Sequence, residues 1–174
     1  MSDPAESDDT EAGRAFRRLL DTLAELGERF AGPEWSVTDP VDRAEGLGII
    51  VDHFATAFET QYRDSAARPV LREIVTLWRK SLGDNADAVY HDAAVDPDGV
   101  YELWGNIAGA VYLSITVEAD ATDGAFPSGT VGVLNDTAID IDPGGNYSVT
   151  IGGEPRDRNW MGLDRRASRL TIRQ

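Results

Sequence analysis

Two arginines stand two residues apart beside an acid, an amide and an indole in the run Arg156-Asp157-Arg158-Asn159-Trp160. Cations are scarce in this chain, with 16 Lys and Arg against 31 Asp and Glu and a formal net charge of −15. In an extended segment, residues two apart face the same way, so both guanidiniums would converge. The planar guanidinium fork suits a carboxylate or phosphate, and Trp160 offers an apolar wall for the rest of a ligand. Gly152-Gly153 and Pro155 place the run in a loop, where sites are often carried on a rigid sheet. Read this way, Arg156, Asp157, Arg158, Asn159 and Trp160 bind a small anionic molecule. The commoner reading is structural: the arginines pair with surplus acids and Trp160 plugs a sheet interior. Tyr90, Tyr101, Trp104 and Tyr112 are further candidates for lining a ligand cavity, Tyr112 above all, although strand aromatics more often pack a core.

His91 and Asp136 are the catalytic candidates. His91 would act as a general base oriented by Asp87 or Asp92. Asp136 is a loop carboxylate beside Asn135, as Asp84 is beside Asn85. The commoner readings are an exposed strand-edge histidine and side-chain capping of turns. His53, beside Phe54, reads as a packed or surface helix residue. With two histidines and no cysteine, a multi-histidine or thiolate metal centre is excluded, whereas one histidine plus carboxylates is not. Asp140, Asp142, Gly144 and Asn146 superficially suggest a Ca²⁺ loop but lack the bidentate Glu at its twelfth position, and turn chemistry explains them better. The Gly-Gly pairs are turn signals and not phosphate-binding fingerprints, and no nucleophile elbow surrounds a serine. No metal or cofactor is implied.

These residues need elements to position them. Residues 1–9 are polar and acidic and are expected to be a disordered tail. Residues 10–82 read as a helical region. Asp9 or Thr10 caps the first helix, which carries Phe16, Leu19, Leu20, Leu23, Leu26 and Phe30 at helical spacing. Asp39-Pro40 opens the second, with Val41, Ala44, Leu47, Ile50, Val51, Phe54, Phe58 and Tyr62 as its apolar stripe. Gly46 and Gly48 weaken that helix but allow close packing. A third helix is predicted from Pro69 to Leu82, ending at a positive-φ Gly83.

Residues 83–174 read as β-rich. Strands are predicted near 88–95 and 100–105, joined by the Asp96-Pro97-Asp98-Gly99 turn. A central strand over 109–118 follows, then a long loop from 119 to 130. Short strand pieces at 131–134 and 137–142, a turn at Pro143–Asn146, and strands at 147–152 and 168–173 complete the pattern. The fold class is therefore α+β: N-terminal amphipathic helices followed by an antiparallel, sandwich or jelly-roll-like sheet domain.

The segment GDNADAVYHDAAVDPDGVYELWGNIAGAVYLSITV, followed by GVLNDTAIDIDPGGNYSVTIGG and RNWMGLDRRASRLTIRQ, resembles the β-rich domain of unknown function numbered family 1214. Its members show G-D-N-P-D, a Tyr a few residues on, a strand Y-x-(I/L)-x-G, an aromatic strand ending S-x-T-V, and later N-W-L-P-L. Resemblance covers roughly Leu77 to Gln174. Ala86 stands where the family has Pro, and Met161-Gly162 where it has Leu-Pro. The resemblance implies architecture and no substrate. Members usually continue into a further aromatic strand, so this chain is expected to be a fragment or to receive that strand otherwise. Ser168–Arg173 is then expected to be an edge strand, open to a second copy or another partner.

The negative charge argues against nucleic acid and anionic membrane surfaces. No apolar run is long enough for a transmembrane helix, the N-terminus lacks a signal-peptide pattern, and the lack of cysteine fits the cytoplasm. These readings point to a domain that binds a small molecule between or beside its sheet. The alternatives are a cofactor-independent hydrolase using carboxylate and Arg residues, and an oligomerisation or scaffold domain.

Overall fold

A computed structural model describes residues 10–76, 78–81, 83–122 and 125–174. The expectation of a tail over residues 1–9 lies outside the described residues. The chain divides into two units, residues 1–54 and 55–174. Among the described residues, two α-helices and eight strands in two sheets form an α+β fold, as the sequence predicts.

In the first unit, helix α1 spans Glu11–Ala31 and begins at Thr10, whose hydroxyl accepts the Gly13 N–H at 3.0 Å. Helix α2 spans Pro40–Ala57; the Asp39 carboxylate accepts the Val41 N–H at 2.7 Å, satisfying one orphan donor of the first turn. Arg43 ties the connector down by donating to Val37 O at 2.9 Å and Ala31 O at 3.0 Å. The Phe30 ring covers Gly46, where a Cβ would stand 1.9 Å from the ring, so Gly46 does permit close helix approach; nothing lies within 4 Å of a Cβ at Gly48. Helix α2 runs on into a π-helical segment, Phe58–Tyr62.

The predicted third helix does not form. Strand β1, Arg72–Val75, replaces it and pairs antiparallel with β2, Tyr90–Ala94. Helical spacing of Val70, Leu71, Ile74 and Val75 was a coincidence of a short window. The β-branched Ile74-Val75-Thr76 run fits a pleated surface better, and the Thr76 hydroxyl accepts the N–H groups of Trp78 and Arg79, closing a turn where the helix would have continued. Gly83 has the anticipated positive φ of 67°, in a turn rather than at a helix end.

The larger sheet adds β4 (Ser114–Ala119), β5 (Gly129–Asn135) and β8 (Ala167–Arg173) in the order β1-β2-β8-β4-β5. The smaller sheet comprises β3 (Val100–Asn106), β6 (Asn146–Gly152) and the two-residue β7 (Trp160–Met161), in the order β3-β6-β7. Strand β4 lies inside the sheet between β8 and β5, but β8 takes the middle place; of the strand predicted over 109–118 only the part from Ser114 forms, and residues 109–113 are turn and coil. Strand β8 is not an edge: β2 and β4 flank it on both sides, so the expected open C-terminal edge is overturned. The predicted strand piece at 137–142 is turn and coil. The pairing of β6 with β7 is parallel, departing from an all-antiparallel pattern.

Inner faces of the two sheets meet in a core of Leu103, Ile115, Val117, Val149, Ile151, Leu170 and Ile172, with Tyr147 and Met161 at its margins. At Gly152 the backbone takes φ 80° and a Cβ would stand 2.2 Å from Gly99 O, so only glycine fits this crossing.

The outer face of the larger sheet carries a buried ion cluster. Arg169 on β8 donates through Nε to Asp92 Oδ2 at 2.9 Å and through Nη2 to Asp92 Oδ1. It also donates to Asp64 Oδ2 at 3.0 Å and to Thr60 O at 2.9 Å. Asp64 further accepts from Arg72 at 3.0 Å and from the Ala94 N–H at 2.6 Å. Burial by itself would raise the Asp64 pKa, but hydrogen bonds from Arg169 and from the Ala94 and Ser65 N–H groups outweigh it and hold the carboxyl below its ordinary value.

Two stability predictions follow from this architecture. The folded pKa of Asp64 lies below the unfolded value of about 3.9. Its contribution is therefore complete above that value and is lost as pH falls through the folded pKa. Urea midpoints should fall on acidification below about pH 4, and Asp64→Ala should cost roughly 3–5 kcal/mol at neutral pH by leaving buried guanidinium groups underpaired. An unchanged midpoint in the variant would refute the cluster's role. The second concerns Asn159, which accepts the Asp140 N–H at 2.7 Å and donates to Ser148 O at 2.8 Å and Asp140 O at 3.2 Å. Asn159→Ala should lower stability by about 1–3 kcal/mol, while Arg156→Ala, at an exposed position, should stay within roughly 0.5 kcal/mol; thermal unfolding of both variants checks the contrast.

Candidate functional site

Strand register assigns the outward side chains of the larger sheet. Tyr90 pairs with Arg173 and Asp92 with Thr171 across β2 and β8, while Ser114 pairs with Arg173 across β4 and β8. Residues alternate between faces along a strand, so Arg169, Thr171 and Arg173 share the outer face with Tyr90 and Asp92. Leu170 and Ile172 point into the core, and His91, opposite Ile172, shares the inner side.

At the end of this outer face, Arg173 lies between two tyrosines. Its guanidinium carbon stands 5.4 Å from the Tyr112 ring centre and 5.8 Å from that of Tyr90. Its Nε is buried without a hydrogen-bond partner among the described residues, and no carboxylate there forms an ion pair with it. Aromatic faces carry negative quadrupole charge and stabilise a cation without neutralising it. The guanidinium borders a cavity of about 610 Å³ whose other walls include Asn85, Asp87, Val111, Tyr112 and Gln174. The loop before β4 shapes this cavity with positive φ at Ala108 (47°) and Gly109 (80°). Gln174 holds that loop by donating to Ile107 O at 2.8 Å.

The catalytic candidates are not brought together. His91 borders a neighbouring cavity of about 450 Å³ that shares Asp87, Gly109, Ala110 and Gln174 with the first. It makes no hydrogen bond to Asp87, and Asp92 is committed to Arg169 on the opposite face, so the expected orientation by Asp92 fails. Asp136 sits in the turn after β5, its N–H donating to Leu113 O at 3.0 Å, and lines neither cavity. His53 is on α2, its Nδ1 2.9 Å from Ile49 O.

The run 156–160 is differently placed from the sequence reading. Residues 156–159 form a loop rather than a strand, so Arg156 and Arg158 have no common strand face. Arg158 pairs with Asp140 at 2.7 Å, with both side chains more than half exposed. Arg156 and Asp157 are exposed. Asn159, at φ 48°, is the clamp described above. Trp160 donates from its indole N–H to Gly152 O at 2.9 Å and lies over Gly162. Asn159 and Trp160 thus hold the smaller sheet together. Asp142, which figured in the Ca²⁺-like run, accepts the Asn146 N–H at 2.8 Å; its hydrogen bonds from Asn146 hold its carboxyl below the ordinary range. Of the predicted ligand-binding residues, Tyr112 reaches the Arg173 cavity, whereas Asn159 borders a separate one of about 460 Å³ with Asp140, Asp142 and Asn146.

Sequence reasoning missed Arg173 because nothing in its immediate neighbours distinguishes it. Its two aromatic partners are 61 and 83 positions earlier in the chain, and only the pairing of β8 with β2 and β4 gathers them. A usable signal existed in the scarcity of cations combined with an outward parity on a strand.

The four singled-out aromatics are split by the fold. Tyr90 and Tyr112 flank Arg173, whereas Tyr101 and Trp104 border a separate cavity of about 340 Å³ with Leu71, Ala93, Leu103 and Leu170. Tyr101 also braces the turn at 96–99, accepting the Asp96 N–H at 2.8 Å and donating to Ala66 O at 3.1 Å.

No helix among the described residues is long and apolar enough to cross a membrane. No family model matches the chain, and no curated protein matches it. Among solved structures it is similar to an uncharacterized protein from Burkholderia cenocepacia, with a TM-score of 0.81 and 26% identity over 94% of this chain and 45% of that one. A Vibrio parahaemolyticus protein also matches, with a TM-score of 0.41 and 15% identity over 95% of this chain and 48% of that one. The chain therefore spans about half the length of the solved proteins it matches.

Proposed function

We propose that this chain is a small-molecule-binding domain whose ligand carries a single anionic group, seated at Arg173 beside Tyr90 and Tyr112. The observation that carries this reading is a partly buried guanidinium with aromatic flanks, an unpaired Nε and no acidic partner among the described residues. In a chain with almost two acids per base, an arginine left without an acid is held for something else. A carboxylate suits the guanidinium fork. Asp87 on the same cavity wall disfavours a second negative charge, and the exposed Val111 with Ala88 and Ala110 offers contact to an apolar remainder. Binding is favoured over turnover because His91 faces the other side of the sheet. Membership of family 1214 belongs to the same proposal, supported by the order of its motifs along β2, β3, β4 and β7. So does a cytoplasmic setting, supported by the absence of cysteine.

Benzoate, benzamide and phthalate test the reading as a monoanion, its neutral analogue and a dianion. Benzoate should raise the thermal midpoint in a saturable way, with about 2.7 kcal/mol of stabilisation at a hundredfold excess over Kd. Benzamide should not. Arg173→Met should weaken benzoate binding by roughly ten- to a hundredfold through loss of a charge-assisted contact, with the fold retained by circular dichroism. Equal shifts from benzoate and benzamide, or an unaffected Arg173→Met protein, would sink the proposal.

A further inference from the structure

Neither α1 nor α2 contains a buried residue. In α1 the side of the helix bearing Leu19, Leu23 and Phe30 is half-buried, with Phe30 over Gly46. Phe16, Leu20 and Leu26 remain 61%, 49% and 42% exposed. Phe16 and Leu20 share one rim of the helix, with Leu26 on the other side of the half-buried stripe, and large exposed apolar side chains along one rim mark an interaction surface. At 100° per residue, Phe16 and Leu20 project beside the small, exposed Ala24 and Ala31. The rim is therefore bulky in its first half and flat in its second. Between the first and last turns its charges divide in the same way: Arg14, Arg17 and Arg18 precede Leu19, while Asp21, Glu25 and Glu28 follow Leu20, with Glu11 and Arg29 of opposite sign at the two ends.

We infer that the occupant of this face is a second copy of the chain, packed with the two α1 helices antiparallel. A two-fold axis near residues 22–23 sets the Phe16 and Leu20 of one copy against the flat Ala24–Ala31 end of the other. It also sets Arg17 opposite the other copy's Glu28. These two residues are eleven apart, about three turns and roughly 16 Å along the axis, and lie on nearly the same side of the helix. An isologous interface demands such self-complementarity, in which each contact occurs twice. A parallel arrangement would instead oppose Arg17 to Arg17 and Glu28 to Glu28.

Sedimentation equilibrium of the full chain tests this. The expected species has twice the 18.9 kDa chain mass. Leu20→Glu should give a monomer with unchanged helicity. Arg17→Glu should raise the dimer dissociation constant by about tenfold, because it faces Glu28 with a like charge. Combining Arg17→Glu with Glu28→Arg should restore wild-type association to within about threefold, since the exchange preserves the antiparallel pairs. A wild-type chain that stays monomeric up to high concentration would overturn the inference and leave this face to cis packing. A double variant no tighter than Arg17→Glu would overturn the antiparallel geometry, and a Leu20→Glu protein that still dimerises would place the interface elsewhere.

Discussion

A guanidinium with almost no access to solvent, Arg169 on β8, is gripped by the carboxylates of Asp92 and Asp64 and by the carbonyl of Thr60. Taking three charges out of water is costly, and this is repaid only where geometry satisfies nearly every donor and acceptor. Here each of the three Arg169 nitrogens donates at least one hydrogen bond, and Asp64 is shared with Arg72 and two backbone N–H groups. The cluster joins residues from the π-helical segment, β1, β2 and β8. Apolar packing tolerates small slips, whereas a buried charge out of place loses its partner altogether. The cluster therefore specifies the register of β1 on β2 and of β2 on β8 more sharply than the apolar inner face can.

The same face of the same strand holds Arg173, four residues on. Two arginines project from β8 with identical parity. One is neutralised by acids; the other has tyrosine rings beside it and a cavity in front. Solvation and pairing, rather than residue type, separate a structural cation from one available to a ligand. The inner face needs no such distinction: Leu170 and Ile172 meet Ile115, Val117, Val149 and Ile151 in an ordinary apolar core.

The helical unit is organised by a different balance. Its caps and connector are well satisfied by Thr10, Asp39 and Arg43, so its backbone is well accounted for. Its side chains are not. Two helices can shield only one flank of each other, and several large apolar groups on α1 and α2 remain exposed. In isolated hairpins little apolar area is removed from water relative to the conformational entropy lost, which is why such a surface calls for a cover.

Local chemistry legible in the sequence determined much of this protein. The starts of α1 and α2 followed from Thr10 and Asp39-Pro40, the turn at 96–99 from its Asp-Pro-Asp-Gly run, and the interior place of β4 from its β-branched composition. The α+β class followed from the change in period. Tertiary structure decided what depends on distant partners. Residues 69–82 carried helical spacing, yet β1 formed there because β2 offered a ladder and Asp64 a partner for Arg72. Strand β8, expected at an edge, lies inside the sheet because β2 and β4 both pair with it, a fact written in no stretch of neighbouring residues. The candidate site shows the same division. Arg156 and Arg158 stand two apart in sequence, but they lie in a loop and share no strand face. Tyr90, Tyr112 and Arg173 are dispersed along the chain, and hydrogen bonding between strands, which has no regard for sequence distance, gathers them at one end of a sheet.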